Sequence, residues 1–184
     1  MKKTTLAAAL AMALAPLAGT TAAAADRGGA QFMMNVARAG AAEVELSRLA
    51  TQRADERDVR RFADQMVNDH ARMGEDLRRL AAREGVRLPS GMDANHRAAY
   101  NRLRRMNGDA FDRAYARQMA NDHEQALALF REQARNGRDR EVRDFAQRAL
   151  DTIEHHRQMA RDLFREERRE SRDDGRYPDR RYPY

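Results

Sequence analysis

Two stretches of the chain set an imidazole in the same surroundings, RFADQMVNDH at 61–70 and AYARQMANDH at 114–123. His70 follows Met66 by four residues and precedes Met73 by three, which are the steps of one helical face, so the ring points to a core. His123 stands likewise between Met119 and the pair Ala126 and Leu127. A third stripe, Val142, Phe145, Ala149 and Thr152, runs on to His156 and then to Met159 and Leu163. In a fourth, Glu43 interrupts the step from Ala39 to Leu46. Each apolar stripe therefore turns one metal-competent or proton-active side chain inward: Glu43, His70, His123 and His156.

Two chemistries fit that set. Neutral imidazoles with a carboxylate suit a single transition-metal ion, Zn, Cu, Fe or Mn. Met66, Met73, Met119 and Met159 each lie one turn from a stripe histidine. As soft ligands, Met66, Met119 and Met159 would favour copper, although methionine at helical spacing more often fills a core. The same four polar residues can instead form a buried Glu–His hydrogen-bond network that satisfies itself and fixes helix register. A di-iron carboxylate centre needs Glu-x-x-His pairs, and Val67, Ala120 and Ile153 stand where those glutamates would be. Asp69, Asp122 and Glu124 are next to a stripe histidine in sequence, which turns them about 100° off its face. His96 and His155 read as peripheral. With no Gly-x-Ser-x-Gly, no glycine-rich phosphate loop and no His-Glu-x-x-His, hydrolase chemistry is unsupported and no catalytic residue is assigned.

The elements that must position these groups are all helical. The periodicity predicts helix A over 31–53, helix B over 56–84, a short helix over 93–106, helix C over 109–135 with Asp109 as its N-cap, and helix D over 139–168. EGVRLPSGM breaks the chain after helix B, because glycine and proline are poor helix residues. Long amphipathic helices without a strand signal predict an all-α four-helix bundle. The repeat equates B with C rather than B with D. The connector over 85–108 is long enough to cross the bundle and return the chain to the same end. B and C are then parallel, the ferritin-like arrangement, and their histidines share one height.

The ends of the chain bound where it acts. MKKTTLAAALAMALAPLAGTTAAAA has a charged start, a short apolar run and a small-residue finish, the pattern of a secretory signal peptide over 1–25 with cleavage after Ala25. The apolar run is short for a membrane span, so no span is expected in the mature chain, and the protein is expected in the periplasm or otherwise exported. The sequence has no cysteine, which excludes disulfides and thiolate metal sites. Of the formal charge of +6, Lys2 and Lys3 contribute two, and every other basic residue is arginine. Arginine and acid are interspersed, as in ADERDVRRFAD, which predicts solvated faces laced with i,i+4 pairs rather than a nucleic-acid surface. Residues 26–168 form the bundle, and the Arg/Asp/Tyr/Pro-rich segment 169–184 reads as a disordered tail. An envelope or peripheral membrane partner could meet the arginine-rich surface or that tail.

FMMNVARAGAAEVELSRLA, RRFADQMVNDHARMGEDLRRLA, RLP, GDAFDRAYARQMANDHEQALALFREQA and VRDFAQRALDTIEHHRQMARDL together resemble the bacterial ferritin-like family known as domain of unknown function 4142. The likeness spans about 31–163. In that family's pattern the helix-A glutamate, the two M-x-x-D-H histidines and the late histidine fall on Glu43, His70, His123 and His156. A proline common before the late histidine is replaced by Asp151, which implies a straighter second half of helix D. The resemblance implies an exported ferritin-like bundle and no particular activity. Taken together, the sequence reads as a non-catalytic envelope protein, binding or structural, with a buried Glu/His cluster. The alternative is a periplasmic protein that binds one transition-metal ion through those four side chains.

Overall fold

The computed structural model describes residues 26–173, with side chains through Glu166. Five helices follow one another: α1 Arg27–Arg53, α2 Arg57–Arg83, α3 Ala94–Leu103, α4 Gly108–Asn136 and α5 Arg140–Asp173. No strand occurs among the described residues. The chain is an all-α, ferritin-like four-helix bundle in which the α2–α4 crossover contains the short helix α3. The predicted signal peptide lies outside the described residues.

Each long helix buries one stripe. The stripes pair α1 with α2 and α4 with α5 most extensively, while α2 also packs on α5 and α1 on α4. Around the bundle the order is therefore α1, α2, α5, α4, with α2 and α4 on a diagonal. One apolar cluster gathers Phe32 and Met33 of α1, Leu77 and Leu80 of α2, Leu127 and Phe130 of α4, and Val142 and Phe145 of α5. A second gathers Leu46 and Ala50, Phe62 and Met66, Phe111 and Met119, and Ala160. The first cluster uses the late parts of α2 and α4 with the early parts of α1 and α5, and the second does the reverse. Helices α2 and α4 accordingly run parallel, as the repeat predicts, and α1 and α5 run parallel opposite to them. Between the two clusters, on all four helices, lie Glu43, His70, His123 and His156, all buried.

Boundaries differ from expectation where tertiary contacts decide. Helix α1 starts at Arg27 rather than near 31, passing through Gly28 and Gly29. Gly29 is buried against Val142 of α5, where a Cβ would make an ordinary contact of 3.7 Å with Val142 Cγ2. Helix α2 ends as expected: Gly85 takes φ +66°, and Val86 N–H reaches the Ala81 carbonyl at 2.8 Å, the Schellman closure. Asp109 is not the N-cap of α4. Asn107 holds that position, without a side-chain cap bond, and Asp109 falls in the first turn. Helix α5 is continuous to Asp173, so residues 169–173, expected in the tail, extend the helix; residues 174–184 lie outside the described ones. The surface pairs differ in register as well. They are mostly i,i+3, such as Arg48–Glu45 at 2.8 Å and Arg61–Asp58 at 2.7 Å, because the acid precedes the arginine by three.

Candidate metal centre

The polar layer is built from one residue per long helix, with the apolar clusters above and below as its walls. The centroids of the three imidazoles form a nearly equilateral triangle: His70–His123 5.5 Å, His70–His156 5.3 Å and His123–His156 5.4 Å. One nitrogen of each ring lies within 4.8 Å of those of the other two.

The outer nitrogen of each ring has a fixed partner. His70 Nδ1 donates to Glu43 Oε2 at 3.0 Å. His123 Nδ1 donates to the Met119 carbonyl at 2.9 Å, while Glu43 Oε1 stands off at 3.8 Å. His156 Nε2 donates to Asp69 Oδ2 at 2.9 Å. Carbonyl and carboxylate oxygens can only accept, so they hold the proton on the engaged nitrogen and leave the other nitrogen as the lone-pair atom of a neutral ring. Those other nitrogens, His70 Nε2, His123 Nε2 and His156 Nδ1, are all buried without a hydrogen-bond partner.

Charge in the layer follows from this wiring. Burial pushes the Glu43 carboxyl up, but the His70 and His123 charges and the His70 hydrogen bond prevail and hold it at about 2. Burial would lower His70, and Glu43 beside it raises it instead. His123 is lowered by burial despite Glu43, with His70 adding to the fall. His156 is lowered to about 4 by burial and then by His70, the Asp69 bond offsetting only part. The layer thus carries Glu43 as carboxylate and keeps His123 and His156 neutral, while His70, beside Glu43, is the most basic of the three rings.

All four residues singled out by periodicity meet in one layer. The methionines flank it. Met66 and Met119 are fully buried in the second apolar cluster, and Met159 packs against that cluster partly buried. Met73 packs against the first cluster and lines a cleft of about 310 Å³ that reaches Glu43, His70 and His123.

Two residues set aside as lying off the stripes prove to be part of the arrangement. Asp69 does point about a turn's quarter away from His70, but that direction faces α5, where it meets His156. Asp122 answers Asp69 in the second copy of the repeat and, on the diagonal helix, faces the α1 side instead. A histidine does not stand there but Glu43, and Asp122 takes Gln118 Nε2 at 3.0 Å. Its carboxyl is pushed up to about 6, by burial first and by the Glu43 charge in addition, against the Gln118 bond. His96, read as peripheral, lines the same cleft with Asp93. The signal was in the sequence: both copies carry Asp before His, but a one-helix projection does not say which neighbour an off-face residue meets.

A ferritin-like bundle with a layer of three imidazoles and one carboxylate is the class these observations define. The chain belongs to the family described as a domain of unknown function, DUF4142, whose model matches residues 14–163. No curated protein matches it. Among solved structures it is similar to a DUF305 fragment from Deinococcus radiodurans, at 17% identity and a TM-score of 0.68, covering 76% of this chain and 97% of that one. It is similar also to a DUF305 protein from Streptomyces coelicolor, at 18% identity and a TM-score of 0.68, covering 78% of this chain and 96% of that one. At these identities the likeness is one of fold.

Proposed function

We propose that the protein binds one divalent transition-metal ion in the polar layer, with His70, His123 and His156 as the ligands. Glu43, Asp69 and the Met119 carbonyl are the outer partners that orient the rings. The observation that carries this reading is the trio of orphaned nitrogens. A network whose purpose is to satisfy its own polar groups would pair them, because an unpaired buried polar atom costs about 1–3 kcal/mol. Here three rings each spend one nitrogen on an acceptor and leave the other bare, which is the usual wiring of metal-ligating histidine.

The geometry suits the ion with a small adjustment. Nitrogens within 4.8 Å of one another lie no more than about 2.8 Å from a common centre, against roughly 2.0–2.1 Å for a Zn–N bond. An inward movement of about 0.7 Å per ring closes the difference. Three imidazoles without a thiolate favour Zn²⁺ or Cu²⁺, and a three-residue set leaves a further position on the ion. Glu43 supports the site from behind in this reading, since its nearer oxygen is committed to His70 Nδ1. Met66, Met119 and Met159 act as packing beside the layer. The leader-like residues 1–25 support an exported location. No helix among the described residues is long and apolar enough to cross a membrane.

Calorimetric titration of the metal-free protein with Zn²⁺, Cu²⁺ and Co²⁺ tests the reading. It predicts one ion per chain and a melting temperature that rises with free metal, by about 2.7 kcal/mol of stability at a hundredfold excess over Kd. His123→Leu should abolish the binding and keep the helical circular dichroism. Equal binding by that variant, or none by the wild type, would contradict it.

A further inference from the structure

The metal layer is closed by apolar clusters along the bundle axis, so an ion must enter from the side. Two side clefts touch the layer, and His70 lines both. One, between α1, α2 and residues 88–92 of the crossover, is walled near His70 by small side chains such as Ala41, Ala71 and Gly74, and none of His123, His156 and Glu43 lines it. The other, between α1, α3 and α4, is lined by Glu43, His70 and His123 on its inner side. His123 is wholly buried and His70 nearly so, and each has an unpartnered Nε2. Farther out, the same cleft is lined by Asp93, His96 and Asp122.

Those three outer residues are held in place by the crossover helix. Asp93 caps α3, accepting the His96 backbone N–H at 2.9 Å, and its other oxygen takes His96 Nδ1 at 2.8 Å. That leaves Nε2 as the ring's second nitrogen, the same wiring as His70 and His123. Arg102 of α3 donates to Gln118 Oε1 at 2.9 Å, and Gln118 in turn holds both oxygens of Asp122 at 3.0 Å. The chemistry of this lining is that of a cation path. Carboxylates and an imidazole are ligands for a partly hydrated divalent ion, and Glu43, Asp93 and Asp122 outnumber Arg38, which shares the lining, so the cleft favours positive charge.

We propose that the α1–α3–α4 cleft is the loading route for the divalent cation and that Asp93, His96 and Asp122 form its transient outer station. The inference rests on the metal reading of the inner layer. The ion meets the outer carboxylates first, exchanges part of its water for them and for His96, and passes to the bare nitrogens of His70 and His123, with His156 completing the set. No bond of the protein changes in this transfer, and the displaced waters leave by the cleft. Asp93, His96 and Asp122 act on rate rather than on final affinity.

Stopped-flow absorbance with Co²⁺ as the probe, on the untagged metal-free protein, tests the route. Asp93→Asn with Asp122→Asn keeps side-chain shape, and asparagine still caps α3. The double variant should load and release the ion at least about tenfold more slowly, with Kd within about twofold of wild type. Ala126→Phe, which fills this cleft, should slow loading likewise, whereas Ala71→Phe, which fills the other, should leave it unchanged. Loading that is indifferent to the double variant and to Ala126→Phe, or slowed by Ala71→Phe alone, would overturn the route while leaving the inner site standing. Failure of the wild type to take up Co²⁺, Zn²⁺ or Cu²⁺ would remove the inner site itself.

Discussion

A histidine kept neutral inside a bundle makes stability depend on pH in a definite direction. His156 titrates at about 4 in the folded chain against 6.5 as its ordinary value. Between those values the unfolded state binds the proton and the native state does not, so stability rises with pH across that window and is lost as pH falls from 6.5 towards 4. Glu43, held at about 2, contributes stability that is fully present above its ordinary 4.5 and is lost as pH falls from there through 2. His70 works the other way: its pKa is raised, so its contribution is complete below 6.5 and fades as pH rises through the folded value. His156→Leu removes the first effect, and with it the bond that lowers the Asp69 carboxyl, whose own window lies below its ordinary 3.8. In the metal-free protein its stability relative to wild type should therefore improve from pH 7 to pH 4, by up to about 3 kcal/mol. Urea unfolding at the two pH values measures this, and a difference that does not move with pH would refute it. In the proposed metal reading, loading has the same sign, since the ligating nitrogens must be free of protons. Affinity should fall on acidification by up to about tenfold per pH unit once His70 holds its proton in the apo protein, a dependence that calorimetry at pH 5, 6 and 7 reads directly.

Among the elements, the turn between α1 and α2 depends on a residue from a third helix. Asp112 of α4 is fully buried, and its carboxylate accepts the backbone N–H groups of Asp55 at 3.0 Å and Glu56 at 2.8 Å. Those donors open α2, whose own N-cap Glu56 makes no side-chain cap bond. Asp112→Ala should cost about 1–3 kcal/mol by leaving both N–H groups without their acceptor, and Asp112→Asn, which keeps one oxygen, should cost less. Urea melts of the two variants check that order, and equal losses would contradict it. The example also marks where the sequence was legible. Four stripes with strict three-and-four steps placed the long helices and the four inward polar residues, because the period is a property of each helix alone. The parallel α2–α4 pair was legible through the repeat and the length of the connector. What the period could not carry was contact between helices: Asp112 as a remote cap, Asp69 behind His156, Gly29 under Val142, and α3 as the element that brings Asp93 and His96 to the cleft. Each depends on which neighbour stands beside an off-stripe residue, and the order of helices around the bundle is not written in any one helix.

At the scale of the whole molecule, the bundle divides its core into two apolar clusters with a polar layer between them, and the parallel diagonal pair sets the two Asn-Asp-His copies at one height. The copies then serve different ends. Asp69 orients His156 across to α5, and Asp122 stands beside Glu43 at the cleft, where the second copy of the repeat meets a carboxylate and not a histidine. The exterior adds little to this balance. Its arginine–carboxylate pairs are largely exposed and of the kind worth about 0–1 kcal/mol each. The interior is therefore where the molecule is specialised, and the direct question is what it contains in the cell. Elemental analysis of the untagged protein, isolated from its own cells without chelators, answers it. The account predicts close to one Zn or Cu per chain, lost in His70→Leu/His123→Leu while the protein remains folded. Metal-free protein whose melting temperature is indifferent to added Zn²⁺ and Cu²⁺ would contradict it and return the three histidines to a purely structural role.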